Sequence, residues 1–318
     1  MAPPQPPPPL PPLPPELGEQ LHRALVAMPG NRYAVLDGVR DPELRARLEG
    51  ARLTARPLYL ENRSSIDIWA GPVLVAITER TDLDRFVAAV PTGQHALFWG
   101  WPADMATLHR HLRSINVAII PEQEGDAAVE VDASDAPGAG DRVLFRHYDP
   151  EALAPIVPVL RPDQIARLLG DALAILFAAE DFGGLTALAR PERLPPDPGG
   201  LLRLDADQMA AAEARRRVAS HRRIGRFLRA EAPGVAGPMD DRALAAQVAI
   251  YEREATELGL STERDVARWG YLQMLSNNGL YANPAVRDSF RPEVRRRPAG
   301  EYLDAVFDGI IAGLRQRG

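Results

Sequence analysis

The chain has 318 residues, a net charge of −6, 46% apolar and 25% charged residues, which is ordinary for a globular protein long enough to fill two lobes. It contains no cysteine, and all 37 basic residues are arginine, so thiol nucleophiles, disulfides, cysteine zinc sites, Walker-type and kinase lysines and Schiff-base chemistry are all excluded. The acidic balance argues against a dedicated nucleic-acid binder, whose domain is normally basic.

Residues 2–15 are mostly proline, as in Pro6-Pro7-Pro8-Pro9, and such a tract favours extended polyproline II over helix or inner strand. Residues 1–20 are therefore expected to form a disordered tail outside the fold. Tyr33–Asp37 then reads as a strand closed by Gly38, and Asp41-Pro42 opens a helix that runs through Leu48. Pro57–Leu60 and Val73–Ile77 read as strands, Asp82–Val90 as a helix, His95–Trp101 as a strand and Ala103–Ile115 as a helix. Asn116–Ile120 and Val143–Tyr148 are further strands, separated by an acidic stretch at 122–141 read as a mobile loop. This alternation predicts an α/β lobe over 21–190 with a mixed, partly parallel sheet and flanking helices. Past Pro162 the pattern turns helical, with Ile165, Leu168, Leu169, Leu173 and Leu176 on one apolar face. A Pro/Gly-rich break at Pro195–Gly200 suggests a linker near 190–204. An all-α lobe is expected over 201–318, with helices near 205–231, 240–258, 261–277 and 299–316.

No basic stretch followed by an apolar run marks a secretion signal, so the cytoplasm is the expected compartment. The most apolar segment, Leu168–Ala179, is broken by Gly170 and Asp171 and too short to span a bilayer, so no stable membrane insertion is expected.

Catalytic patterns are weak throughout. Asp37-Gly38 after a strand invites comparison with aspartyl-nucleophile phosphatases, but position 39 is Val and the lysine those sites need is absent; a turn is the simpler reading. His109 and His111 lie two apart on a helix, so they do not face each other and cannot share a metal. His147 beside Asp149 has no nucleophile motif to serve as a general base. Trp99 and Trp101 share one face of their strand, where they serve either as core or as an exposed aromatic pair suited to protein binding. On the helix near 213–231, Arg215, Arg222, Arg226 and Arg229 fall on one face, opposite Ile224, Phe227 and Leu228. That basic face is either a solvated surface or a dock for an acidic protein. No catalytic, cofactor or metal residue emerges.

The most distinctive string is Phe145-Arg146-His147-Tyr148-Asp149-Pro150, read as a strand running into a helix start, with Asp149 as cap and Pro150 in the first turn. It resembles the F-R-F-Y-D-P signature of the effector-adaptor, or chaperone, family of bacterial type VI secretion systems, with His147 where an aromatic is usual. Two further segments follow that family's order: Tyr33-Ala-Val-Leu-Asp-Gly-Val-Arg40 resembles Y-A-L-L-D-G-A-R, and Gly71-Pro-Val-Leu-Val75 resembles G-P-x-L-V. The resemblance covers about residues 31–150. It implies a non-enzymatic adaptor that binds a toxic effector in the cytoplasm, often through a transmembrane or spike-linked segment, and helps load it onto the VgrG spike. A hydrolase or transferase with an unrecognised site, and a structural subunit of the secretion machinery, are the competing readings. Arg146, Tyr148, Asp149 and Asp37 are read either as partner contacts or, preferentially, as an internal network joining strand ends, because a buried arginine needs carboxylate partners.

Overall fold

A computed structural model describes residues 12–59, 68–90, 93, 95–122 and 140–315; the first eleven residues of the chain, Leu60 and most of the 122–141 stretch lie outside them. The chain divides into two compact units, Met1–Arg215 and Arg216–Gly318.

The first unit is built on a six-stranded sheet in the order β2 (Ala55–Pro57), β3 (Pro72–Ala76), β1 (Asn31–Asp37), β4 (Leu97–Trp101), β7 (Ala174–Ala179) and β8 (Gly184–Ala189). Every described pairing in it is antiparallel. The parallel component is confined to a second, three-stranded sheet, where β5 (Val117–Ile120) pairs antiparallel with β6 (Asp141–Leu144) and parallel with β9 (Leu202–Arg203).

The large sheet is covered on both faces, so its inner strands are apolar on both sides rather than alternating. Tyr33, Val35, Leu97, Trp99, Trp101, Ile175 and Phe177 point into one core with Leu108 and Leu112 of α4 (Met105–Ser114) and Leu168 and Leu169 of α6 (Pro162–Leu169). Ala34, Leu36, Phe98 and Leu176 point into the other, against α1 (Pro15–Val26), α2 (Leu44–Gly50) and α3 (Arg80–Ala89).

Several elements differ from the sequence-based expectation, including β8 in the stretch read as helical and β9 inside the stretch read as all-α. Helix α1 begins inside the stretch assigned to the tail: Pro15 sits in the first turn, where its missing N–H is harmless, and Leu17, Leu21 and Leu25 are buried at i, i+4 and i+8. The expected helical face through Leu173 and Leu176 ends at Leu169, because Gly170 turns the chain with φ of 52°. Residues 174–179 then form β7, buried along its whole length between β4 and β8. A six-residue apolar run fits either period; its sheet partners decide.

Helix α7 (Ala206–Glu231) spans the division between units. Its start belongs to the first: Gln208 and Gln164 of α6 exchange side-chain hydrogen bonds of 2.7 and 3.0 Å. The second unit packs Ile224 and Leu228 of α7 against α9 (Asp241–Glu257), α10 (Glu263–Leu275) and α13 (Ala299–Arg315), around Tyr251 and Trp269. Short helices α8 (Pro233–Ala236), α11 (Pro284–Ser289) and α12 (Pro292–Arg295) complete it. Thr262 caps α10 and shares a capping box with Asp265. Among the described residues no helix is long and apolar enough to cross a membrane.

Candidate functional site

The three motif segments, far apart in sequence, meet at one corner of the first unit. β1 and β3 run side by side and end together, with Asp37 opposite Pro72. Beyond them Gly38 opens a single 3-10 turn whose N-cap is Asp37, with Val39 N–H donating to Asp37 Oδ1 at 3.2 Å. Gly38 N–H donates to the Gly71 carbonyl at 2.9 Å. A methyl group on Gly38 would stand 1.8 Å from the Trp69 carbonyl oxygen, so the close approach of two backbones explains glycine there. The Asp-Gly turn is thus a packing device.

The Phe145–Pro150 segment reaches this corner from the small sheet. Strand β6 ends at Leu144, short of the expected Tyr148, because its partner β5 begins at Val117 and Asn116 offers only its carbonyl to Phe145 N–H, at 2.7 Å. The chain then folds tightly, with His147 N–H donating to the Phe145 carbonyl at 2.8 Å. Asp149 caps the short helix α5 (Pro150–Leu153), accepting from Glu151 N–H at 2.9 Å, with Pro150 in its first turn.

Arg146 joins the segments. Its Nη2 lies 2.9 Å from Asp149 Oδ2 and 3.2 Å from Asp37 Oδ2, and its guanidinium sits 5.9 Å from the centre of the Tyr148 ring. Arg40, from the first motif segment, adds longer contacts to the same two carboxylates, 3.7 Å to Asp37 and 3.8 Å to Asp149. Partial burial works against the Arg146 charge, but Asp149, Tyr148 and Asp37 outweigh it and hold the guanidinium more firmly protonated than usual. The expected network therefore exists, with one difference: Arg146 is 44% exposed, while Asp37 and Asp149 are 13% and 9% exposed. The carboxylates are the buried members; the arginine closes over them from the surface.

Residues 32–167 match the model of a family described as a domain of unknown function, DUF4123. The matched span contains all three segments and the whole corner. No curated protein and no solved structure matches the chain.

Beneath the corner lies a second polar layer. Tyr148 is buried and its hydroxyl is 3.5 Å from that of Tyr59; burial, this contact and the Asp37 charge push the Tyr59 phenol up. His147 is fully buried, with Nε2–H donating to Asn116 Oδ1 at 2.8 Å, and its Nδ1 makes no hydrogen bond within the described residues. Burial, helped by nearby His111, pushes its pKa down to about 3, so it is a neutral ring in the core. His109 and His111 reach in different directions, to the Pro57 and Leu168 carbonyls, each at 2.9 Å. Trp99 and Trp101 are both buried; Trp101 stacks on His111 at 5.4 Å and donates to Thr107 Oγ1 at 2.9 Å. They are core residues and present no binding surface. Arg40 and Tyr59 were not singled out by sequence: Arg40 was signalled only by its place in the first motif segment, and Tyr59 carried no local signal.

The basic face of α7 lies in the helical unit apart from Arg215, which ends the first unit and is exposed. Arg222 and Arg226 are exposed; Arg229 is half-buried, with Nη1 2.7 Å from Asp241 Oδ1 and Nη2 donating to the Met239 carbonyl at 2.9 Å.

Proposed function

We propose that the chain is an adaptor of type VI secretion that binds a toxic effector in the cytoplasm and helps load it onto the VgrG spike, acting by binding rather than by catalysis. One observation carries this reading: the three segments that resemble the adaptor family converge on a single corner, locked by Arg146, Asp37, Asp149 and Arg40. The matched family is itself associated with effector adaptors of this secretion system. A non-catalytic role is supported by the state of the motif carboxylates. Asp37 and Asp149 each lie against two guanidiniums and cap a turn or a helix, so both already have structural partners.

The direct test is co-expression of the full chain with a candidate toxin and a VgrG spike protein from the same genome, followed by purification. Stoichiometric recovery of a complex, and loss of toxin solubility when the chain is omitted, are the expected results. Failure to recover either partner, together with turnover of a small substrate by the purified chain, would defeat the reading.

A further inference from the structure

The two units differ in charge sign. Arg216–Gly318 holds 17 arginines against 13 acidic residues, whereas the preceding residues hold 20 against 30. The excess on the helical unit is partly gathered along a groove of about 520 Å³ between α7 and α9. Arg222, Arg226 and Arg229 line one wall at i, i+4 and i+7, and Arg242 of α9 lies on the other side. Asp241, which also lines the groove, is engaged by Arg229. Between the walls, apolar Val218, Leu244 and Ala245 lie beside His221, whose ring is held by Glu252 at 3.0 Å. Val218 is 51% exposed, and Gly225 is buried where an added methyl would stand 3.3 Å from Leu244, so the two helices come close there and leave a shallow bed.

We infer that this groove docks an acidic amphipathic helix of a protein partner; on the adaptor reading, which this inference rests on for the partner's identity, that partner is the effector. Arg222 to Arg229 spans about two turns, roughly 10 Å at ~1.5 Å per residue, which matches carboxylates spaced one turn apart on a helix lying along α7. Guanidinium forks suit such carboxylates, giving paired, directional hydrogen bonds. Small or branched apolar side chains on the same helix cover Val218 and this bed, removing apolar surface from water. A nucleic acid fits less well, because the groove lining contains no Phe, Tyr or Trp for bases to stack on.

The test uses the full chain and a labelled synthetic helix with glutamates at i and i+4 on one face and leucine or alanine on the other. Its glutamine counterpart and a single-stranded oligothymidine serve as comparators. Saturable binding of the acidic helix is expected, with the glutamine helix at least ~10-fold weaker. Arg222→Glu/Arg226→Glu is expected to weaken the acidic helix by a similar factor, and Arg242→Glu, on the opposite wall, to weaken it independently; retained thermal melting in both shows that the fold is intact. Salt near 1 M, where the screening length is ~3 Å, is expected to abolish most of the binding. Equal binding by wild type and both variants, or tighter binding of the oligonucleotide, overturns the inference. Effector recovery that is identical with wild type and Arg222→Glu/Arg226→Glu also overturns it while leaving the adaptor reading standing. Groove-dependent helix binding with no effector recovered does the reverse.

Discussion

In the α/β unit certain arginines fasten remote segments together, and in the helical unit a group of them stands exposed along one helix. Arg146 and Arg40 close over two capping carboxylates, and Arg167, 8% exposed, ties the Gly200 and Ser114 carbonyls together at 2.7 and 2.8 Å. Arg222 and Arg226, by contrast, stand exposed along a helix whose packing is carried by Ile224 and Leu228. The same side chain thus serves as a fastener at the corner and as exposed charge along α7. A fastener depends on acceptors delivered by remote segments, and its loss is felt in stability. A charge field depends only on a helix face, and its loss is felt in association.

The strongest way to break this contrast is at the corner's backbone. Gly38→Ala places a methyl 1.8 Å from one carbonyl oxygen and 2.8 Å from another, and no rotamer relieves it. Overpacking usually costs ~1–3 kcal/mol and more where the obstacle is backbone, so a loss of at least ~3 kcal/mol is expected in chemical denaturation. Gly234→Ala in α8, with nothing within 4 Å of the added methyl, is the matched control and is expected to be neutral or slightly stabilising. Equal effects at the two positions would show that the corner is not tightly packed.

His147 sharpens the picture of the layer beneath. Its pKa falls from an ordinary 6.5 to about 3 on burial. Between those values the unfolded chain binds a proton that the folded chain does not. Its contribution to stability is therefore complete above ~6.5 and is lost as pH falls toward 3, with a slope approaching ~1.4 kcal/mol per pH unit near pH 5. Replacing it with the aromatic usual at this place, His147→Phe, is expected to remove that slope from the stability-versus-pH curve. An unchanged slope between pH 4 and 6.5, measured as the difference from wild type, would mean the imidazole is not buried neutral.

Arg146→Ala is a smaller perturbation. A charge-assisted hydrogen bond contributes ~1.5–3 kcal/mol when shielded, but Arg146 is 44% exposed and Arg40 stays beside both carboxylates, so ~1–2 kcal/mol is the expected loss. A loss above ~3 kcal/mol would show that Arg40 cannot substitute. Unchanged stability with lost effector recovery would reassign Arg146 from fastener to contact residue.

What could be read from the chain follows the range of the interactions involved. The long helices of the second unit were legible because caps and periodicity are local: Thr262 caps α10, and α9 departs from the expected 240–258 by one residue at each end, whereas the short α8, α11 and α12 were not. Strand β7 was not, because Ala174–Ala179 fits two periods and only pairing with β4 and β8 selects one. Helix α1 was hidden by composition, although Leu17, Leu21 and Leu25 already formed a stripe. At the corner, the resemblance flagged the segments and Asp149 declared itself as a cap, yet the Arg146–Asp37 contact crosses 109 residues and no local rule contains it. The same distance explains why the exposure of Arg146, 44%, was not legible in the sequence.

The smallest expected effect falls in the helical unit. Because Arg222 and Arg226 are exposed on a helix held by its opposite face, Arg222→Glu/Arg226→Glu is expected to change stability by no more than ~0.5 kcal/mol, within the usual range for surface substitutions. The same pair of changes moves the local charge by four units, enough to alter an association rate whose steering depends on that field, especially at low salt where the screening length reaches ~30 Å at 0.01 M. The comparison is therefore decided by two measurements on one variant. A flat denaturation midpoint with a slower, less salt-dependent association confirms a charge field. A midpoint shift comparable to that of Arg146→Ala would make these arginines fasteners as well, and the contrast between the units would fall.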